Sequence, residues 1–258
     1  CTKLAGKDSW FLPFNKGYND GAGNPPNPDG LMTDYLWKDI LTKNKLSRII
    51  ENYAQVVEEV DEDTNKKSIK QIWPRYHQLD CVEKLLADVN ANGVGKKYLI
   101  QHSAGSGKSN SIAWLAHQLI GLEQAGHPMI DSVLVVTDRR ILDKQIRNTI
   151  KQVMQVKNTV TWAEHSGDLR KAIQDGKRII ITTIEKFPYI FSEIGQEHKN
   201  NKFAIIIDEA HSGQSGRNSA KMNLALSGLA SEDDMDNEDK INAMMEGRKL
   251  VTTASYFA

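Results

Sequence analysis

The chain has 258 residues, of which 40% are hydrophobic, so it can bury the core of one large α/β domain with an added smaller region. Its 33 Lys and Arg residues balance 33 Asp and Glu residues, which excludes a global basic field and requires any DNA contact to be local. No apolar stretch or leader pattern indicates a membrane or secretion, and two cysteines offer no disulfide framework, which favours a reducing cytoplasm.

Residues 1–70 are predicted to form a mixed N-terminal linker and helical region. The segment 17–30 is rich in Gly, Pro and Asn, so it cannot form a helix or a central strand, and either an ordered loop or disorder is open. Thr33 is predicted to cap a helix, and a second apolar helical face follows. The apolar residues of these two faces are Leu36, Trp37, Ile40 and Leu41, then Leu46, Ile49, Ile50 and Tyr53. The acidic run at 58–63 is interpreted as a solvated turn between two short strands.

Residues 71–258 alternate between strand and helix patterns. This alternation predicts an α/β fold in which a parallel sheet is covered by helices on both faces. The predicted strands are 97–101, 132–136, 178–183 and 203–207. The histidines show no metal-ligand spacing, so no zinc site is predicted.

The sequence QHSAGSGKS at 101–109 follows the first of these strands and opens a helical pattern. Gly105 and Gly107 allow successive backbone N–H groups to point inward, and the helix N-terminus adds a partial positive charge. Lys108 is predicted to reach the β- and γ-phosphates of a nucleotide, and the Ser109 hydroxyl to ligate Mg²⁺. The predicted phosphate-binding loop consists of His102, Ser103, Ala104, Gly105, Ser106, Gly107, Lys108 and Ser109.

The loop departs from the full motif at one position, and it also has an alternative interpretation. The full pattern G-x-x-x-x-G-K-[ST] has glycine at its first position, where this chain has His102. A tight surface turn with an incidental Gly-Lys-Ser is the structural alternative.

A second motif is the apolar run 203–207, which ends in Asp208 and Glu209. Such a run is typical of a strand buried on both faces of a parallel sheet, and buried carboxylates need a cationic partner. Asp208 is predicted to hold Mg²⁺, and Glu209 to position and polarise the attacking water. A strand that ends in solvated acids is the alternative for this stretch alone. Together the loop and the acids predict ATP binding.

Several motifs together resemble a known family. DEAH at 208–211 and the loop at 102–109 are similar to superfamily two helicases and translocases, whose loop often lacks the first glycine. More narrowly, the chain resembles the restriction (R) subunit of type I restriction-modification enzymes. The residues that carry this resemblance are FLPFNKG at 11–17, PRYHQLD at 74–80, the loop with its helix through His117, VVTDRRILD at 135–143 and DEAHSGQSG at 208–216.

The resemblance implies further site residues. Gln78 stands at the position of the family's adenine-reading glutamine, with Arg75 beside it, although Gln78 also fits an ordinary helix start. His211 is implied to couple the nucleotide site to a second motor lobe, and a merely structural histidine is the alternative. Arg139, Arg140, Thr182 and Thr183 are implied to contact the DNA backbone; a solvated charged loop and a turn cap are the respective alternatives.

The implied fold is a RecA-like P-loop lobe at residues 71–258, and the implied function is that of a motor lobe within a type I site-specific deoxyribonuclease. ATP and Mg²⁺ are the implied cofactors, and the implied partners are double-stranded DNA and the modification and specificity subunits, with no membrane. A nuclease domain is expected before residue 1 and a second motor lobe after residue 258, so this lobe alone should hydrolyse ATP poorly. A helicase acting on single strands or RNA and a nucleotide-dependent binding switch remain as alternatives.

Overall fold

The computed structural model describes residues 2–3, 13–60, 67–103, 105–137, 149–150, 160–163, 165–183, 201–208 and 254–258. The chain divides into two compact units, Cys1–Lys84 and Leu85–Ala258. This division falls inside a helix, and the predicted change of domain character at residues 70–71 stays a prediction. Among the described residues, no helix is both long and apolar enough to cross a membrane.

The first unit contains a three-stranded antiparallel sheet and short helical segments. Its strands are β1 (Thr2–Lys3), β2 (Gln55–Val60) and β3 (Lys67–Ile72), in the order β1-β3-β2. A π-helical turn (Leu36–Ile40) and helix α1 (Lys43–Asn52) precede the sheet hairpin, and helix α2 (Tyr76–Asn92) begins after it. The antiparallel pairing of β2 with β3 confirms the two short strands, but the predicted turn at 58–63 is wrong at its start, because Glu58, Glu59 and Val60 pair with β3 as the last residues of β2. Residues 61–66 lie outside the described part of the chain.

The helical predictions for this unit are only partly correct. Ile40, Ile49 and Tyr53 are buried, but Trp37 and Ile50 are 62% and 53% exposed. Thr33 directly precedes the helical residues Asp34 and Tyr35, which is the position predicted for the cap, and its carbonyl accepts the Leu36 N–H at 2.9 Å; capping by the Thr33 side chain stays a prediction. The segment 17–30 forms hydrogen-bonded turns with neither helix nor regular strand, as predicted.

The second unit is built on a six-stranded parallel sheet. Its elements in chain order are β4 (Lys97–Tyr98), α3 (Lys108–Ile120), the small hairpin β5 (Glu123–Gln124) and β6 (His127–Pro128), β7 (Ser132–Thr137), β8 (Val160–Trp162), α4 (Ser166–Gln174), β9 (Ile179–Thr183), β10 (Phe203–Ile207) and β11 (Ala254–Phe257). The strand order is β4-β11-β10-β7-β9-β8, and every neighbouring pair is parallel. The predicted α/β fold with a parallel sheet is therefore confirmed.

The two faces of this sheet are covered by different helices. Leu134, Ile180 and Ile205 belong to one buried cluster with Leu169 and Ile173 of α4. Helix α3 packs against β7, β9 and β10 but contributes no residue to that cluster, so it covers the opposite face. Side chains alternate between the faces along each strand, and each residue of β7, β9 and β10 can therefore be assigned to the α3 face or to the α4 face.

The predicted strand 97–101 is wrong in its extent and burial. Regular pairing covers only Lys97 and Tyr98, and Leu99 is 78% exposed. Within the described part of the sheet β4 is an edge strand, so one of its sides has no neighbouring strand to bury it. The Ile100 N–H still donates to the Ala258 carbonyl, 2.6 Å away, which holds the start of the loop against β11.

A polar contact fixes the end of α2 to β4. The Asp88 carboxylate accepts hydrogen bonds from the Tyr98 hydroxyl at 2.9 Å and the Lys96 ammonium at 3.1 Å, and these bonds lower the pKa of Asp88. Burial, and then the Asp88 carboxylate, raise the pKa of Tyr98. The Tyr98 ring stacks on Phe257 of β11 with a centroid separation of 4.7 Å. Tyr98, the last residue of β4, is therefore held from two sides.

The fold predicts a large difference between two leucine-to-alanine substitutions. Leu134→Ala should lower the free energy of unfolding by about 2–5 kcal/mol, because Leu134 is completely buried at the centre of the sheet and its removal leaves a cavity. Leu99→Ala, the matched control on an exposed leucine, should change it by no more than about 0.5 kcal/mol. Urea denaturation of the chain, followed by circular dichroism, measures both; equal losses would contradict the burial described for the two leucines.

Candidate nucleotide site

The candidate site lies at one edge of the parallel sheet. Because all six strands run in the same direction, the residues that follow them meet at the carboxyl edge, where open α/β sheets bind their ligands. The loop at 99–107 follows β4, Asp208 follows β10, and Thr137 and Thr183 end β7 and β9. One strand, β11, separates the loop strand β4 from β10. The fold therefore brings the two predicted motifs to the same edge.

The loop adopts a conformation that requires its glycines. Gly105 and Gly107 have φ angles of 73° and 83°, in the left-handed region that other residues rarely adopt. A Cβ added at Gly105 would meet nothing within 4 Å, so backbone conformation rather than space requires glycine there. Gly107 is the N-cap of α3, and its carbonyl accepts the Asn110 N–H at 3.1 Å. Ala104 lies outside the described residues.

This geometry fits a polyphosphate. The first N–H groups of an α-helix have no partner within the helix, and the helix dipole places partial positive charge at the same end. Lys108 and Ser109 are the first two residues of the 13-residue helix α3 and are half-buried. His102, at the position where the full pattern has glycine, is also half-buried, and the Ser103 carbonyl accepts the Ser106 N–H at 3.2 Å. A charged amine and a hydroxyl thus follow directly after the left-handed turn.

Asp208 lies on the same side of the sheet as α3. Ile205 and Ile207 of β10 belong to the α4-side cluster, so the alternate residues Ala204, Ile206 and Asp208 are on the α3 face. The Asp208 N–H donates to the Val136 carbonyl at 2.9 Å, which extends the β10–β7 pairing by one residue, and Asp208 is only 6% exposed. A buried carboxylate on the face of the loop helix suits a cation held between the two motifs.

The remaining predicted residues fall into two groups. Glu209, His211, Arg139 and Arg140 lie outside the described residues, and their roles stay predictions. Thr182 and Thr183 are both buried at the end of β9, and within the described structure the Thr182 hydroxyl has no hydrogen-bond partner. Contact with a DNA phosphate would require these hydroxyls to become exposed, so this role also stays a prediction.

Gln78 and Arg75 both belong to the first unit, where they are hydrogen-bonded to each other. Gln78 is buried, and its side-chain oxygen accepts the Arg75 N–H at 2.8 Å. The Arg75 carbonyl in turn accepts the Gln78 N–H at 3.1 Å. Gln78 therefore stabilises the start of α2, as the structural alternative predicted. An amide has further donor and acceptor capacity, and adenine recognition by Gln78 stays a prediction.

Two features of the site were not predicted from the sequence. The first is the contact of Asp88 with Tyr98, which are ten residues apart and give no local signal. The second is the buried Thr137, whose hydroxyl donates to the Thr182 carbonyl at 3.4 Å. A polar residue that closes an apolar run, as Thr137 closes 133–136, is the signal that could have found it.

The family assignment follows from a match over the larger part of the chain. Residues 77–231 match the family model described as SWI2/SNF2 ATPase. The chain belongs to the SWI2/SNF2 ATPase family. This confirms the helicase-like ATPase indicated by the motifs and covers both the loop at 102–109 and Asp208. An ATPase of this family uses a nucleotide, typically with Mg²⁺.

Known proteins similar to this SWI2/SNF2 ATPase include a restriction enzyme subunit. The type I restriction enzyme HindI endonuclease subunit of Haemophilus influenzae is 27% identical over 207 residues, which cover 70% of this chain and 19% of that protein. The chain thus spans about a fifth of the length of the curated relative that it matches.

Solved structures with some similarity are a helicase and a restriction enzyme. The UvsW helicase from bacteriophage T4 matches 84% of this chain and 67% of its own, with a TM-score of 0.43 and 13% identity. The ATP-dependent type ISP restriction-modification enzyme LlaBIII bound to DNA matches 79% of this chain and 14% of its own, with a TM-score of 0.47 and 15% identity.

The loop geometry predicts opposite responses at two glycines. Gly105→Ala should lower the free energy of unfolding by about 1–2 kcal/mol, because alanine resists the left-handed conformation. Gly167→Ala makes the same chemical change inside α4, where nothing lies within 4 Å, and should be neutral or stabilising by up to about 1 kcal/mol. Urea denaturation distinguishes the two; a stabilised Gly105→Ala variant would rule out the left-handed turn.

Proposed function

We propose that this chain is the ATP-binding motor lobe of the R subunit of a type I restriction enzyme, which drives translocation of double-stranded DNA before endonucleolytic cleavage. The observation that carries the proposal is the left-handed glycine turn at the start of α3, on the same edge and face of the sheet as the buried Asp208. The family assignment supports the ATPase part, and the similarity to the HindI subunit supports the restriction part.

The residues of the loop bind and orient the nucleotide. The backbone N–H groups of the turn and of the first helical residues donate to the phosphate oxygens, and the Lys108 ammonium neutralises charge on the β- and γ-phosphates. Glu209 orients the attacking water and accepts its proton. His211 lies two residues further and connects this step to the second motor lobe. Gln78, with Arg75, recognises the adenine edge through its amide.

Ser109 and Asp208 would hold Mg²⁺, one through its hydroxyl and the other through its carboxylate. Bound Mg²⁺ would neutralise charge that develops on the phosphate oxygens. The described structure fits this role, because Asp208 is a buried carboxylate that lies on the α3 face of the sheet. A cation bound at this position would offset part of the cost of burying the carboxylate.

The second part of the proposal concerns DNA. Arg139, Arg140, Thr182 and Thr183 contact the phosphate backbone of double-stranded DNA, and the modification and specificity subunits supply recognition of the site. Because the net charge is zero, such contacts must be local rather than the effect of a general positive field. A second lobe supplies an arginine to the transferring phosphate, so hydrolysis depends on the whole protein in the cytoplasm.

Replacement of Lys108 tests the nucleotide site. Lys108→Ala in the full-length protein should weaken binding of a fluorescent ATP analogue by at least about a hundredfold, because several charge-assisted hydrogen bonds are lost. Lys84→Ala is the matched control and should bind as the wild type does, because Lys84 is an exposed lysine whose ammonium pairs with the Asp80 carboxylate at 2.7 Å. Wild-type affinity of Lys108→Ala in an equilibrium titration would refute the loop assignment.

The choice of activating nucleic acid tests the motor assignment. ATP hydrolysis by the full-length protein with its partner subunits should be stimulated by double-stranded DNA that carries the recognition site, and not by single-stranded DNA or RNA. Glu209→Gln should reduce the stimulated rate by about a hundredfold or more, since it removes the base that orients water. Stimulation by single strands or RNA would indicate a helicase, and hydrolysis that responds to none of the three would indicate a binding switch.

A further inference from the structure

We infer that Thr137 is a positioning residue for the Asp208 carboxylate, and that it holds this carboxylate in the orientation that accepts Mg²⁺ with the nucleotide. The inference rests on the proposed function of the site. It assigns a role in metal binding to a residue outside both the phosphate loop and the acidic motif.

The pairing of three strands places Thr137 beside Asp208. Val136 of β7 is opposite Ile207 of β10, and the Asp208 N–H donates to the Val136 carbonyl at 2.9 Å. The next residue on β7 is Thr137, so it is the lateral neighbour of Asp208, at the strand spacing of about 4.8 Å. On its other side Thr137 is opposite Thr183 of β9.

Thr137 also projects from the same face as Asp208. Leu134 and Val136 belong to the α4-side cluster, which puts Val133, Val135 and Thr137 on the α3 face. Asp208 is on that face by the same alternation. Two laterally adjacent residues on one face of a sheet have side chains close enough to interact, and a hydroxyl and a carboxylate form a short, strong hydrogen bond.

Burial makes a hydrogen bond between the Thr137 hydroxyl and the Asp208 carboxylate favourable. Thr137 is fully buried and Asp208 nearly so, and buried polar groups require hydrogen-bond partners. The Thr137 hydroxyl donates to the Thr182 carbonyl across 3.4 Å, which is longer than the 2.5–3.0 Å of ordinary hydroxyl bonds. A carboxylate one strand away is a stronger acceptor for the same proton than that carbonyl is. Donation to one carboxylate oxygen leaves the other oxygen directed to the cation.

The experiment compares nucleotide affinity with and without Mg²⁺. A fluorescent ATP analogue is titrated into the full-length wild type, Thr137→Val, Thr137→Ser and Thr161→Val, first with Mg²⁺ and then with EDTA. Valine has the shape of threonine without the hydroxyl, and serine keeps the hydroxyl. Thr161 in β8 is the matched control, because it lies in the same sheet three strands from β10.

The expected result is a selective loss. The gain in affinity that Mg²⁺ gives the wild type should fall about tenfold to a hundredfold in Thr137→Val, as for loss of a hydrogen bond to a charged group, while affinity in EDTA is unchanged. Thr137→Ser should restore the gain, and Thr161→Val should keep it. These three results together support the inference.

Other results would overturn it. If Thr137→Val keeps the full Mg²⁺-dependent gain, Thr137 does not position Asp208, although the proposed function stands. If Thr137→Val loses affinity equally in EDTA and Thr137→Ser does not restore it, Thr137 is only structural. A wild type that binds no nucleotide would instead refute the proposed function itself.

Discussion

The parallel pairing of β10 with β7 is the constraint on which the site depends. It continues through the Asp208 N–H to the Val136 carbonyl, so the carboxylate that closes β10 is held in the sheet rather than in a solvated loop. A slip of one residue would move Asp208 to the α4 face, because side chains alternate along a strand. The apolar residues on both sides of β7 and β10 prevent that slip, since each face has its own helix to pack against.

The site has energetic costs that the rest of the second unit offsets. Two left-handed residues, a buried carboxylate and buried threonine hydroxyls are each less stable than ordinary alternatives. They lie at or just after strand ends, and on the α4 side the centre of the sheet carries packed aliphatic and aromatic side chains. Fixed polar groups at the rim of a rigid core need no reorganisation when a charged ligand binds, which is what catalysis of phosphoryl transfer requires.

The sequence predicted the sheet well because its signals are local. Central strands such as β7 and β9 are continuous apolar runs, and this pattern follows from burial on both faces. The strand at 97–101 was predicted wrongly for the same reason: an apolar run does not show whether a strand is central or at the edge, and Leu99 is exposed. The start of the helical segment directly after Thr33 was predictable, because a residue type that favours the N-cap next to an apolar helical pattern is also a local signal.

The candidate site was predictable where its residues are consecutive and not where they meet through the sheet. Gly105, Gly107 and Lys108 form one motif, so their positions follow from the sequence. Thr137 and Asp208 are 71 residues apart, and their adjacency depends on which strands pair, a property of the whole sheet. Strand order also separates β4 from β10 by β11, the strand whose residues come last in the chain. The phosphate loop after β4 and Asp208 after β10 are brought together only when β11 pairs with both β4 and β10. Completion of the site therefore requires completion of the sheet.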